Sequence, residues 1–154
     1  MAEELFDIVD ENNQPLGFTK TRSEAHQGDF WHRTVHLYLI NDKGSFLVHL
    51  RSPFKDSKPN QWDTRFGGHL KAGSDILQTV LQEAKEEIGL VLTEQNLIKG
   101  EVYKRDGAKN KEFTQAYYHI YNKDINDLKF NDNEVVEVKW MTPDAIIASI
   151  IENP

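Results

Sequence analysis

Three glutamates, Glu83, Glu86 and Glu87, stand three and four residues apart in the run Gln82-Glu83-Ala84-Lys85-Glu86-Glu87-Ile88-Gly89. On a helix this spacing gathers the three carboxylates within about 100° of one another. Like charges so placed weaken a bare helix by about 0.2–0.5 kcal/mol per pair, and Lys85 points elsewhere. The ordinary reading is a solvated acidic face. Two features argue for more. Glu87 borders the apolar stripe of the helix, where an unpaired charge is costly. The helix also follows a Gly67-Gly68 turn, so the chain can bring a backbone carbonyl near the same face. Hard divalent cations are held by such oxygen clusters. Magnesium takes one or two carboxylates, keeps several waters and uses substrate phosphate oxygens for the rest.

The elements that must position these carboxylates read as follows. Residues 74–88 carry an apolar stripe (Ile76, Leu77, Val80, Leu81, Ala84, Ile88) at about 100° per residue, which predicts a helix. Ser74 is the expected N-cap and Gly89 the expected stop. Residues 5–10 and 16–20 form a hairpin around Glu11–Pro15. Residues 34–40 and 45–51 form a second hairpin around Asn41–Gly44. Residues 21–33 show no clear periodicity, and 52–61 form a loop. A short strand at 62–66 runs into the glycine pair. Strands at 97–104 and 114–121 flank a charged turn at 105–111. An acidic loop at 122–134 leads to a last strand at 135–141. Thr142 and Pro143 open a C-terminal helix running through Ile151. More strands than helices, with one helix in mid-chain, predicts an α/β or α+β sandwich with a mixed sheet.

Composition narrows the function. A length of 154 residues fits one domain, 1–154, with 1–30 as hairpin and lead-in. The net charge of −7 argues against a duplex nucleic-acid partner. It permits a small phosphorylated ligand, because a local cation or metal reverses the field. There is no cysteine, so disulfides, thiolate zinc sites and thiol nucleophiles are excluded, and a reducing compartment is the matching setting. The N-terminus shows no signal-peptide pattern and no apolar run approaches a membrane span. A cytoplasmic protein without a membrane partner is expected; a homodimer stays open.

Residues 67–90, GGHLKAGSDILQTVLQEAKEEIGL, resemble the Nudix box, G-x5-E-x7-R-E-U-x-E-E-x-G-U with U bulky and aliphatic. Gly68, Glu83, Glu86, Glu87, Gly89 and Leu90 match without gaps. Ser74 stands for the first glutamate, Gln82 for the arginine, and Ala84 is small for U. In the family the missing pair braces the loop before the helix. Losing both leaves no lone charge, and the expectation is a neutral substitute: Ser74 capping the helix, with Gln82 bonded within the loop or facing solvent. The N-terminal hairpin, Trp31-His32-Arg33, Arg51-Ser52 and Asn131-Asp132-Asn133-Glu134-Val135 extend the resemblance to the branch containing type I isopentenyl-diphosphate isomerase and its hydrolase-like relatives.

The resemblance implies an α/β/α sandwich, and Mg²⁺ or Mn²⁺ on Glu83, Glu86, Glu87 and the Gly68 backbone. It implies water attack on a small substrate holding a diphosphate linkage. Glu86, Glu87 and Glu134 are the candidate bases. Arg51, Arg65 and His69 are the candidate substrate ligands, whereas Lys55 and Lys58 are expected in solvent. Trp31, Phe54, Trp62 and Tyr103 are read mainly as core, with base stacking as the alternative. His36, His49 and His119 are read as structural strand residues. His26 and His32 correspond to histidines that help hold a metal in the isomerase. Isomerase activity itself is disfavoured, because Gly67 occupies the position of its cysteine acid/base and the segment at Glu112 has one acid only. A non-catalytic nucleotide- or protein-binding domain is the other alternative.

Overall fold

The computed structural model describes residues 3–55, 58–107, 110–130 and 134–152. The expected turn residues Ala108 and Lys109, the loop residues Asp56 and Ser57, and the quoted Asn131-Asp132-Asn133 lie outside them. Strands β1 (Leu5–Val9) and β2 (Pro15–Thr21) form the antiparallel hairpin expected at the N-terminus. Its turn is tied by Asp10, whose Oδ1 accepts from the Asn12 and Gln14 amides at 2.8 and 2.9 Å. A short helix α1 (Arg22–Gln27) follows, where the sequence shows no periodicity. Local chemistry forms it: Thr21 and Glu24 make a reciprocal capping box.

The main sheet comprises β3 (His32–Ile40), β4 (Phe46–Arg51), β5 (Trp62–Asp63), β6 (Phe66–His69), β7 (Ile98–Gly107), β8 (Asn110–Ile120) and β9 (Val135–Met141). The order is β5-β4-β3-β8-β7, with β6 on β3 and β9 on β4. Strand β3 runs parallel to β8, from His32 beside Glu112 to Ile40 beside Ile120. All other pairings in the sheet are antiparallel, which makes it the mixed sheet expected.

The β3–β4 hairpin departs from expectation. Only Ile40 and Phe46 pair across it. Beyond that point β6 takes the edge of β3, from Thr34 opposite His69 to Leu37 opposite Phe66. Strand β4 pairs instead with β5 and β9. The two strands therefore splay from their common turn, and the gap between them opens a cavity.

Helix α2 (Ile76–Ile88) packs against β6 and β3. Val35, Leu37 and Leu39 alternate into a core with Leu47, Phe66, Leu70, Val80, Ala84 and Ile88. Each such side chain contributes about 1.5–3 kcal/mol when fully buried. Asp75, and not Ser74, caps α2, accepting from the Gln78 amide at 2.7 Å. Ser74 is exposed in the preceding turn. Gly89 ends the helix at φ 71°. Helix α3 (Pro143–Glu152) starts as expected, with Thr142 Oγ1 accepting from the Ala145 amide at 3.1 Å. Among the described residues no helix is long and apolar enough to cross a membrane.

Candidate active site

Strand β6 lies against α2 and brings the glycine pair to the glutamates. The Gly67 amide points at Glu87 Oε1, 3.4 Å away. A Cβ added at Gly68 would sit 2.7 Å from Glu83 Oε1, so this strand presents bare backbone to the carboxylates. Gly67 has φ 141°, and a Cβ there would meet the Val35 carbonyl at 2.0 Å. No cysteine fits that backbone.

Glu83 and Glu87 are half-buried and share a hydrogen bond. Burial, that bond, and the charges of Glu83 and Glu134 push the Glu87 carboxyl up to about 9. Burial also raises Glu83; its bond to Glu87 opposes this, and Glu86 and Glu134 add to it. A pair that prefers a shared proton to two charges is one that a divalent cation relieves, and its oxygens suit Mg²⁺ or Mn²⁺. Glu86 is exposed, and Gln82 Nε2 donates to its Oε1 at 2.8 Å. Gln82 is exposed, the second of the two arrangements expected for it, and braces a glutamate of its own helix without bonding to the preceding loop.

These groups line a cavity of about 490 Å³ that reaches across the splayed strands. Glu134 enters from the far side, where the Ser52 amide bonds its carbonyl at 2.9 Å and Lys55 pairs with its carboxylate at 3.8 Å. Arg51 lines the cavity as expected, and Lys55 does so against expectation. Arg65 also lines it, but its Nε and Nη2 are engaged by Asp63 at 3.0 and 3.3 Å. Arg22, Lys71 and Arg105 are further lining cations that sequence reasoning missed. They come from α1, the β6–α2 turn and β7, whose convergence no local pattern announces. Trp31, Phe54, Trp62 and Tyr103 are not among the lining residues.

A second group of ligand-type atoms reaches the same cavity through His69 and Glu112. One side-chain atom each from His26, His32, His69 and Glu112 lie within 4.8 Å of one another. His69 Nε2 and His32 Nε2 approach Glu112 Oε1 at 3.3 and 3.5 Å. His69 therefore belongs to this group as well as to the cavity lining. Burial opposes the Glu112 charge, yet the His32 and His69 imidazoles beside it hold its carboxyl well below the usual carboxylate range. Burial, then His32 and His69, lowers His26. His32 is fully buried; its Nδ1 lies 3.0 Å from the Phe30 carbonyl, and its Nε2 has no hydrogen-bond partner in the protein. An imidazole oriented through one nitrogen, with the other turned toward further ligand-type atoms, is the arrangement of a metal-ligating histidine. Phe6 of the hairpin stacks on His32 and His69 at 5.3 and 5.1 Å. Glu112 reaches this group through the parallel β3–β8 register, which sequence spacing does not reveal.

The NUDIX domain model matches residues 30–153, and the chain belongs to the Nudix family. An uncharacterized Nudix hydrolase of Clostridium acetobutylicum is 36% identical over 124 residues, 79% of this chain and 59% of that protein. Nudix hydrolase 3 of Arabidopsis thaliana is 34% identical over 143 residues, 92% of this chain and 16% of the plant protein. The chain thus spans less than two thirds of either relative. Isopentenyl-diphosphate Delta-isomerase of Klebsiella pneumoniae is 26% identical over 156 residues, 100% of this chain and 84% of the isomerase. Among solved structures, DR0079 from Deinococcus radiodurans aligns with a TM-score of 0.80 at 23% identity, over 97% of this chain and 90% of that one. That likeness is one of fold.

Proposed function

We propose that the chain is a metal-dependent hydrolase that cleaves the diphosphate linkage of a small substrate, a nucleoside diphosphate joined to another moiety or a similar compound. One observation carries this reading: Glu83, Glu86, Glu87 and Glu134 face one cavity together with Arg51 and Lys55. Glu83, Glu86, Glu87 and the Gly68 backbone would hold Mg²⁺ or Mn²⁺. When bound, the ion supplies charge neutralisation at the phosphate oxygens and eases deprotonation of water. Arg51 and Lys55 orient the diphosphate from the β4 side. Glu134 is the base in this reading, because it stands off the helix and faces the carboxylate cluster across the cavity. Glu86, braced by Gln82, is the second candidate base, and Glu87 the third. The imidazole-rich group His26, His32, His69 and Glu112 would suit a transition ion such as Mn²⁺ better than Mg²⁺. A cysteine-free chain fits a cytoplasmic setting.

The test is a panel of diphosphate substrates assayed for product with Mg²⁺, with Mn²⁺ and with chelator. Metal-dependent hydrolysis of at least one substrate is expected. Nucleotide binding without turnover of any would favour the non-catalytic alternative. The histidine group is the one observation that favours an isomerase-like reading. The absent cysteine and the Val35 carbonyl 2.0 Å from any Cβ at Gly67 oppose it. No deuterium should enter isopentenyl diphosphate from heavy water; incorporation above a no-enzyme control would reverse this ordering.

A further inference from the structure

We infer that the open edge of β9, with the isoleucine face of α3 that follows it, is the contact surface for a second copy of this chain, the two β9 strands pairing antiparallel about Val138. The inference is independent of the hydrolase reading.

A strand with one neighbour leaves a row of backbone N–H and C=O groups unpaired. Strand β9 pairs with β4 alone, and among the described residues no loop or helix bonds its backbone from the other side. The other long strand with a single neighbour, β7, is blunted. Its register with β8 shifts between Lys99 and Val102, and its Lys104 is drawn to the Glu11 carbonyl of the N-terminal hairpin at 2.8 Å. The one irregularity of β9 lies at its start, where Val136 is passed over in the β4 register and stands 58% exposed. From Glu137 to Met141 the strand pairs regularly.

Charge selects the occupant. The strand reads Val135-Val136-Glu137-Val138-Lys139-Trp140-Met141, which is self-complementary about Val138. A two-fold axis normal to the sheet at Val138 sets Glu137 of each copy opposite Lys139 of the other, and Val136 opposite Trp140. Residues directly opposite in an antiparallel pair share a face, so both charge pairs form on one side of the joined sheet. Moving the axis by one residue sets Glu137 against Glu137 or Lys139 against Lys139, so the register is specified. Glu137 and Lys139 are both exposed, and neither has an ion-pair partner among the described residues. Lys139 rests on the Trp62 ring, 4.2 Å from its centre. A two-stranded pairing alone is marginal in water, and α3 supplies apolar surface next to it. The helix begins one residue after β9 and buries none of its residues. Ile147, Ile150 and Ile151 are 55%, 59% and 75% exposed, at the spacing of one helix face. Exposed apolar patches of this kind mark interaction surfaces. The helix carries Asp144 and Glu152 and no lysine or arginine, which opposes a membrane surface as the occupant.

The experiment is sedimentation of the full chain over a range of concentrations, where a monomer–dimer equilibrium is expected. Glu137→Lys and Lys139→Glu each turn both cross-strand pairs from opposite to like charge. Each should weaken the dimer by at least about tenfold. Mixed together, the two variants present opposite charges to each other and should associate as the wild type does; the double variant carrying both changes should do the same. Ile150→Ser should weaken the dimer too, and an unchanged affinity there overturns the part assigned to α3. The chain has no cysteine, so Val138→Cys gives a reading that does not depend on the charge variants. On the axis this residue meets its own counterpart and should cross-link under mild oxidation, whereas Lys139→Cys, two residues away from its counterpart, should not. A wild-type chain that stays monomeric overturns the assignment. So does a dimer indifferent to both charge variants, or a Lys139→Cys chain that links as readily as Val138→Cys. Failure of the mixed charge variants to associate, each melting near the wild-type temperature, overturns it as well.

Discussion

Glu87 concentrates the electrostatic cost of the cavity, since burial and its two acidic neighbours lift its carboxyl to about 9. Replacing it with glutamine removes a repulsion while keeping a hydrogen-bonding side chain. Glu87→Gln should therefore melt at or above the wild-type temperature without metal, and should lose the stabilisation that Mg²⁺ confers by binding the folded state. Turnover should fall on the order of 10²-fold or more, because a bound cation supplies several kcal/mol of transition-state stabilisation. Glu83→Gln should behave alike. Thermal melts with and without Mg²⁺, beside kinetics, check both; unchanged Mg²⁺ stabilisation in both variants would refute the ligand assignment. His49 titrates with the opposite sign. Its folded value of about 4 lies below the usual 6.5, so its contribution is present above pH 6.5. As pH falls through that value the unfolded chain takes up a proton that the folded chain refuses. Unfolding free energy should decline between about pH 6.5 and 4, by on the order of 3 kcal/mol for this group. His49→Leu should flatten that part of the profile in urea titrations.

Helix α2 is legible in the sequence because its evidence is local: a 3.6-residue apolar period, a glycine stop and carboxylates three and four apart. Its first residue is less so. Ser74 and Asp75 are both good caps, and what decides between them is the approach of the β6–α2 turn, where Gly73 donates to Asp7 Oδ2 at 2.9 Å and Ser74 donates to the Lys71 carbonyl at 3.0 Å. Asp75→Ala should cost about 0.5–2 kcal/mol, whereas Ser74→Ala should stay within about 0.5 kcal/mol; chemical denaturation of both variants separates them. The divergence of β3 from β4 was not legible. A hairpin signal reports a turn and two β-rich runs, and Asn41–Gly44 supplies one. What separates the strands is a competitor from later in the chain, β6, whose Gly67 backbone packs against the Val35 carbonyl where no side chain fits. Gly67→Ala should accordingly weaken the β3–β6 pairing and lower the melting temperature by several degrees, a larger effect than Gly44→Ala, where φ is also positive, at 77°, but nothing crowds the added Cβ. Equal melts for the two variants would mean that the close approach does not hold β6 in place.

At the scale of the molecule, the N-terminal hairpin lies wholly outside the segment matched by the family model, yet it helps complete the histidine group. Helix α1, which follows it, carries His26, and Phe6 of β1 stacks on His32 and His69. The hairpin is fastened to three separate parts of the body. Ala72 donates to the Leu5 carbonyl at 2.7 Å, Arg33 Nε to Asn13 Oδ1 at 2.7 Å, and Lys104 Nζ to the Glu11 carbonyl at 2.8 Å. Fastening at such distant points argues that hairpin and body unfold together, so a single transition is expected in a thermal melt. The same arrangement divides the two metal-type groups by their dependence on the N-terminus. Glu83, Glu86 and Glu87 are held by α2 against β6, whereas His26 reaches its partners only through the first 30 residues. A chain beginning at Phe30 lacks His26 itself and should lose Mn²⁺ affinity at the histidine group by at least about 10–100-fold, the cost of losing even an outer-shell partner of a ligand. Glu112→Gln in the full-length chain should produce a comparable loss and serves as the control if the shortened chain folds poorly. Mg²⁺ stabilisation through the helix glutamates should survive in Glu112→Gln. Manganese titrations followed by calorimetry would show this as the loss of one binding phase of two; an unaltered pair of phases in both proteins would mean that His26 and Glu112 hold no ion.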